Sequence, residues 1–339
     1  MQEPTLPLVS DVVLIGGGHA HALVLRMWAM NPLAGSRLTL INPGPVAPYT
    51  GMLPGLIAGH YTRGEIMIDL VRLARFAGAR MIFDRATGID TARREVLLAD
   101  RPPVPYDVAS LDIGITSDLP DLPGFAEHSV SAKPLGQYAD GWQAFVARGL
   151  AHPRLVIVGG GVGGVELALA SAHKLRSLGS APKITILQSG PQALPGVSAA
   201  ARERLLRACA EYGIRVAVNS RPARATPEAV MLADGTSLPS DFTLTVAGAR
   251  PQGWLAETGL ALHDGFVTVG PTLQSSDPVI FAAGDCAHLS HAPRPKAGVY
   301  AVRAAPILLH NLRATLTGTA LRTFQPQADF SPAPPSEAI

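Results

Sequence analysis

Two short glycine turns carry most of the chemistry that can be read from this chain. Gly16-Gly17-Gly18 follows the apolar run Val12-Val13-Leu14-Ile15, and Gly159-Gly160-Gly161 follows Leu155-Val156-Ile157-Val158. Glycines in such a turn let the backbone come into contact with a pyrophosphate. A helix that starts there points free N–H groups and its positive dipole end at the anion. The second turn, Gly159-x-Gly161-x-x-Gly164, has the full spacing. The first has His21 where the third glycine would stand. That glycine normally allows close helix–strand packing, so the first helix must sit differently or the imidazole must point outward.

The strand after each turn should end in a group that meets a ribose. Dinucleotide sites of this kind usually place an acid there, or an arginine nearby when the ribose carries a 2′-phosphate. Here those positions are Asn42 and Gln188. Asn42 can bond a hydroxyl without a charge. Gln188 is followed by the uncharged Ser189 and Gly190, so it neither repels nor grips a 2′-phosphate. Use of NADH or NADPH is expected, with weak preference. His19 and His21 are two residues apart on a helix and do not face each other, and with no third ligand nearby no metal site is expected.

Turning to the elements that hold these groups, each glycine turn is followed by an Ala/Leu-rich helical stretch, His19 to Met30 and Val162 to Leu178. Each helix leads to a further strand, Arg37 to Ile41 and Lys183 to Leu187. That is the βαβ unit, used twice. A third apolar run, Val279 to Ala283, ends in Gly284-Asp285. The expected architecture is α/β with two Rossmann-like dinucleotide-binding domains. One comprises residues 1–119 and 244–322 and is split by the other, at 120–243. The Pro-rich end, 323–339, is expected to be a disordered tail.

Composition narrows the class. The chain has 339 residues, 47% of them hydrophobic, with 28 basic against 26 acidic side chains. So balanced a charge argues against a nucleic-acid partner. Only Cys209 and Cys286 carry sulfhydryls, too far apart in sequence for a CxxC pair. No apolar run reaches the roughly 18 residues of a membrane helix, and no signal peptide is visible. A cytoplasmic location is expected, with weak association at a membrane surface left open.

Taken together, the two turns, their order and the late Gly284-Asp285 resemble the pyridine nucleotide–disulfide oxidoreductase superfamily of two-dinucleotide flavoproteins. Within it the chain resembles type II NADH dehydrogenases. It is most similar to flavin oxidoreductases fused ahead of selenide, water dikinase, through the GGGHxH turn, Pro48 to Tyr61 and Pro295 to Arg303. The resemblance implies FAD at the first turn, held by Gly16, Gly18 and His21, with Asn42 at the adenosine ribose. It places Gly284 and Asp285 at the ribityl chain, with Cys286-Ala287 opening the next helix beside the flavin. Asp112-x-Gly114 and Thr245-x-Ala247-Gly248 match the crossovers between domains, and Tyr49 to Pro54 and Lys296 to Tyr300 would lie near the isoalloxazine. NAD(P)H would bind Gly159, Gly161, Gly164 and Gln188.

For Glu166 two readings stand, stabilisation by the helix dipole and a place near the flavin–nicotinamide contact. Lys296 is either the cation that steadies reduced flavin or a solvated surface lysine. The CxxxxC of disulfide reductases is absent, and Arg303-Ala304 stands where type II NADH dehydrogenases carry adjacent glutamines. The expected function is an FAD-dependent NAD(P)H oxidoreductase that passes electrons to a quinone or small redox molecule without a redox-active disulfide. The alternative is a non-catalytic flavin-binding regulatory protein.

Overall fold

The computed structural model describes residues 10–115, 121–246 and 248–327. Along the chain, the elements that position the glycine turns are β1 (Ser10–Ile15), α1 (His19–Met30), β2 (Ser36–Asn42) and β3 (Val108–Leu111). Then follow β4 (Arg154–Val158), α2 (Val162–Ser177), β5 (Lys183–Leu187) and β6 (Phe242–Thr245). The last are β7 (Ile280–Ala282) and α3 (Gly298–Thr317). They divide into two compact units, one made of 10–49, 67–115 and 251–326, the other including 50–66 and 121–250.

In the first unit a five-stranded sheet runs β7–β3–β1–β2 and then the strand Arg80–Phe83. Every pairing is parallel. β1 lies at the centre, and Val12, Val13, Leu14 and Ile15 are all at most 1% exposed. A strand covered on both faces needs a continuous apolar run rather than alternation, which is what Val12–Ile15 supplies. α1 and α3 pack against each other.

The second unit repeats this plan. Its sheet runs Val130–Ser131, β6, β4, β5 and Arg215–Ala217, again all parallel. In both sheets the strand entering the glycine turn sits between the strand that follows its helix and a strand that returns from later in the chain. In each sheet the glycine turn lies at the carboxyl end of this strand.

Three local features differ from the sequence reading. Residues 50–66 fall within the second unit, where helix Leu53–Ala58 packs on α2 and the Trp142 indole donates to the Ile57 carbonyl at 3.2 Å. Gly284-Asp285-Cys286 forms a single 3-10 turn followed by strand Ala287–Leu289, and the helix starts only at Gly298. Residues 323–327, placed in the tail by composition, are described: Phe324 is buried, its N–H donates to the Pro271 carbonyl at 2.7 Å, and its carbonyl pairs with His291 Nε2 at 3.0 Å. A single aromatic anchor outweighs the Pro-rich composition there. Residues 328–339 lie outside the described residues, as does Ala247 of the crossover motif.

The second turn shows why its third glycine is needed. A Cβ on Gly164 would lie 1.9 Å from the Gly159 carbonyl oxygen, whereas one on Gly163 would meet only Val246 Cγ1 at 3.4 Å. Gly164→Ala should therefore force α2 off the strand end and lower stability by about 3 kcal/mol, the upper end of overpacking costs. Gly163→Ala should be neutral or stabilise by up to about 1 kcal/mol, since glycine is the poorer helix former. Urea unfolding of both variants separates close packing from general glycine removal.

Candidate functional site

The two glycine turns are built alike. Gly16 N donates to Ile41 O and Gly159 N to Leu187 O, both at 2.9 Å. Gly16 and Gly159 adopt φ of +90° and +122°, a region costly for any residue with a Cβ. The residue ending the next strand then reaches back: Asn42 Oδ1 accepts from Gly17 N at 2.9 Å, and Gln188 Oε1 accepts from Gly160 N at 3.1 Å. Asn42 Nδ2 also donates to Gly44 O at 2.8 Å. Both amides act as struts that fix the second glycine of the turn, each retaining one lone pair and N–H capacity for a further partner.

His21 resolves the missing glycine of the first turn. Its ring does not point outward: the residue is fully buried. Nδ1 lies 2.6 Å from Gly16 O and Nε2 lies 2.8 Å from Ser110 Oγ. A carbonyl only accepts, so the network assigns the proton to Nδ1, and Nε2 accepts from the serine hydroxyl. The carbonyl that touches a bare Cα at Gly164 in the second turn is thus capped by an imidazole N–H in the first. Burial pulls the His21 pKa down to about 4, partly offset by the bond to Gly16.

Asp112, treated in the sequence only as part of a crossover, stands at the centre of the first turn. It follows β3 directly and is 4% exposed. Its carbonyl accepts from Gly18 N at 3.1 Å and its carboxylate Oδ2 accepts from His21 N at 3.0 Å. A Cβ on Gly18 or on Gly284 would come within 2.3 or 2.2 Å of Oδ1. Burial raises its carboxyl to about 7, against the pull of N–H bonds from His21 and Ala20, with Asp285 raising it further. No local pattern marks this residue; only the pairing of β3 beside β1 brings it to α1.

Gly284 and Asp285 line a cleft of about 400 Å³ with Lys296, Tyr300, Ala304 and Phe324. Lys296 is no solvated surface lysine. Nζ donates to the Ala287 carbonyl at 2.6 Å and sits 3.8 Å over the Phe266 ring centroid. Arg303 is exposed, whereas Ala304 faces the cleft. Cys286 is fully buried, its thiol against the Ala283 and Leu111 carbonyls, and burial pushes it up to about 12. Cys209 is likewise buried, with its thiol raised to about 11 by desolvation. Neither offers a thiolate near neutral pH. Tyr49 packs edge-on against His19, their centroids 5.0 Å apart, while Thr50 to Pro54 belong to the second unit.

Glu166 is the fifth residue of α2, past the first turn to which the dipole effect is confined. The dipole reading therefore lacks its geometry. Desolvation raises this half-buried carboxyl to about 7, and its side chain makes no hydrogen bond or ion pair among the described residues. At the start of α2, the N–H groups of Gly161, Val162 and Gly163 find no protein acceptor among the described residues, and a Cβ on Gly161 would meet nothing within 4 Å. That is open space lined with donors, which suits a pyrophosphate. The first turn offers the same backbone form, with Asp112 on part of its donor set.

The chain belongs to the pyridine nucleotide-disulphide oxidoreductase family, whose model matches residues 10–305. It is 25% identical to the NADH dehydrogenase-like protein YutJ of Bacillus subtilis, over 94% of this chain and 87% of that protein. It is 29% identical to the ferredoxin–NAD(+) reductase component of the biphenyl dioxygenase system of Paraburkholderia xenovorans, over 83% of this chain and 68% of the other. Its fold matches the ferredoxin reductase of the CYP199A2 system from Rhodopseudomonas palustris with a TM-score of 0.78 at 23% identity, covering 94% and 78% of the two chains. The chain is an oxidoreductase of the FAD-binding, NAD(P)H-using kind. No described helix is long and apolar enough to cross a membrane, and no described cluster of three or more acidic, His or Cys side chains could hold a metal.

Two outcomes follow from these contacts. A histidine held neutral in the fold stabilises fully above its unfolded pKa near 6.5, and this is lost as pH falls toward about 4. Asp112 has the opposite sign, since a raised carboxyl costs stability as pH climbs from about 4 to 7. Comparing wild type with His21→Gln isolates the first effect. Their stability difference should shrink by up to about 3 kcal/mol between pH 7 and pH 4, as read by denaturant unfolding at each pH. Gln188→Glu keeps an acceptor for Gly160 N and adds a charge at the strand end. The NADH to NADPH ratio of kcat/KM should rise about tenfold or more, the worth of one charge-assisted bond. An unchanged ratio would place Gln188 away from the ribose.

Proposed function

We propose that this protein oxidises NADH or NADPH at the second glycine turn and passes the electrons, through FAD held at the first, to a separate acceptor. That acceptor is a quinone or another small redox molecule, and no cysteine takes part. The observation that carries the reading is the duplicated turn: one backbone device at the central strand of two parallel five-stranded sheets, with donors open at α2. FAD, when bound, supplies two-electron acceptance from the nicotinamide and its release onward.

The residues then have assignable tasks. Gly16 and Gly18 let the FAD pyrophosphate approach the backbone, and Gly159, Gly161 and Gly164 do the same for NAD(P)H. Asn42 and Gln188 lock the turns and offer their remaining hydrogen-bond capacity to the riboses. Asp285 meets the ribityl chain, and Lys296 keeps a positive charge beside the cleft, where it would offset negative charge on reduced flavin. Burial of both thiols supports direct transfer without a dithiol relay. The name of the Paraburkholderia relative includes a ferredoxin–NAD(+) reductase function, so a small iron–sulfur protein stands beside a quinone as an acceptor to assay.

Anaerobic titration with NADH and NADPH tests the reading. Bound flavin should bleach with either nucleotide and recover on adding a quinone or an artificial dye. Flavin retained but not reduced would favour the regulatory alternative. The Cys209→Ser/Cys286→Ser double variant should keep turnover within about an order of magnitude of the parent, roughly 1.4 kcal/mol at most. A double variant that binds FAD normally yet loses turnover would establish thiol chemistry.

A further inference from the structure

The two turns differ in one respect that their common backbone does not require. At the start of α2 the amides face open space, whereas at the start of α1 a buried carboxylate already accepts from the helix: Asp112 Oδ2 from His21 N at 3.0 Å, with a further bond from Ala20 N. The carboxylate is packed tightly within the turn, because Gly18 and Gly284 both lie against its Oδ1, each without room for a Cβ. A pyrophosphate brought to this helix end would add negative charge beside an anion that is cut off from water and boxed in by backbone. Two such charges in a low-dielectric site disfavour each other strongly, and the one able to neutralise does so.

We propose that Asp112 is the proton-linked gate of the FAD site: it is ionised in the flavin-free protein at alkaline pH and takes up one proton from solvent when FAD binds. The balance is one FAD and one proton in, with the carboxylate becoming a carboxyl and no redox change. The neutral acid gives up part of its claim on the α1 amides and can donate its O–H. This rests on the assignment of the first turn to the FAD pyrophosphate. The groups facing Asp112 set the direction of the effect. From the turn after β7, Asp285 adds a second negative charge, and Cys286 stays a neutral thiol. From α1, His21 is neutral over this range, His19 is the other histidine, and Arg26 lies further along the helix. Lys296 acts on the neighbouring Cys286. The position of the Asp112 carboxyl near 7 puts the gate in the physiological range.

The test is isothermal titration of the deflavinated full-length protein with FAD in buffers of different ionisation enthalpy, from pH 6 to pH 9. Near pH 8 the wild type should take up close to one proton per FAD, and its Kd should rise by up to about tenfold per pH unit above pH 7.5. Asp112→Asn, which keeps an acceptor for the amides, should bind with no proton uptake and with a Kd nearly flat in pH. His19→Gln should behave as wild type. Infrared difference spectra of the wild type should gain a protonated-carboxyl band on FAD binding, a readout that needs no variant. FAD binding by the wild type without proton uptake overturns the proposal. So does uptake that persists in Asp112→Asn, or uptake lost in His19→Gln. Failure of the wild type to bind FAD at any pH instead overturns the assignment of the turn itself, and the two failures are told apart by whether flavin binds.

Discussion

The structure depends on how closely a helix can start against the end of a strand. Free amides can face a dinucleotide only if the chain leaves the strand, reverses and begins the helix within a few residues. That reversal puts one carbonyl, Gly159 O or Gly16 O, directly under the incoming helix. The second unit accommodates it by removing the side chain at Gly164. The first unit makes the same carbonyl into a hydrogen-bond acceptor for His21, and then needs Ser110 on the neighbouring strand to satisfy the far side of the ring. One steric problem has two solutions, and the second ties β1, α1 and β3 together through a buried polar chain.

The same economy applies at the strand ends. A carboxylate at position 42 or 188 could bond a ribose and the second glycine at once. An amide keeps the backbone bond while dropping the charge. Each turn is therefore held by a side-chain oxygen at the strand end that carries no charge. Charge has been moved instead to Asp112 and Asp285, which converge on the first turn from two different strands. Two acids drawn together in a buried site disfavour joint ionisation, and burial with Asp285 raises the Asp112 carboxyl to about 7.

The thiols and the cleft show how surroundings rather than residue type set chemistry. A helical turn can activate a thiol, and Cys286 lies in a 3-10 turn. Yet it is sealed among strand carbonyls and held neutral, so it behaves as a small apolar filler. Lys296 is held in the opposite way, its ammonium pinned between a carbonyl and an aromatic face with its stem in the cleft wall. A fixed positive charge beside a cleft can do electrostatic work without taking part in proton transfer.

Much of this was determined by the sequence alone. Glycine spacing after an apolar run is a local instruction, so both βαβ units were legible, and His19–Met30 and Lys183–Leu187 appear with the bounds read from the chain. The absence of a cysteine pair was equally plain. Other features were decided only by tertiary structure, because they depend on strands far apart in the chain becoming neighbours. The inward turn of His21 needed Ser110 from β3. The weight on Asp112 needed α1 on one side and Gly284 on the other, 172 residues further along by number. Residues 50–66 joined the second unit because helix Leu53–Ala58 found its apolar partner on α2, and Phe324 held down a Pro-rich end that composition reads as loose. Sequence patterns report what a segment can form by itself; which buried polar groups meet is fixed only when the sheets assemble.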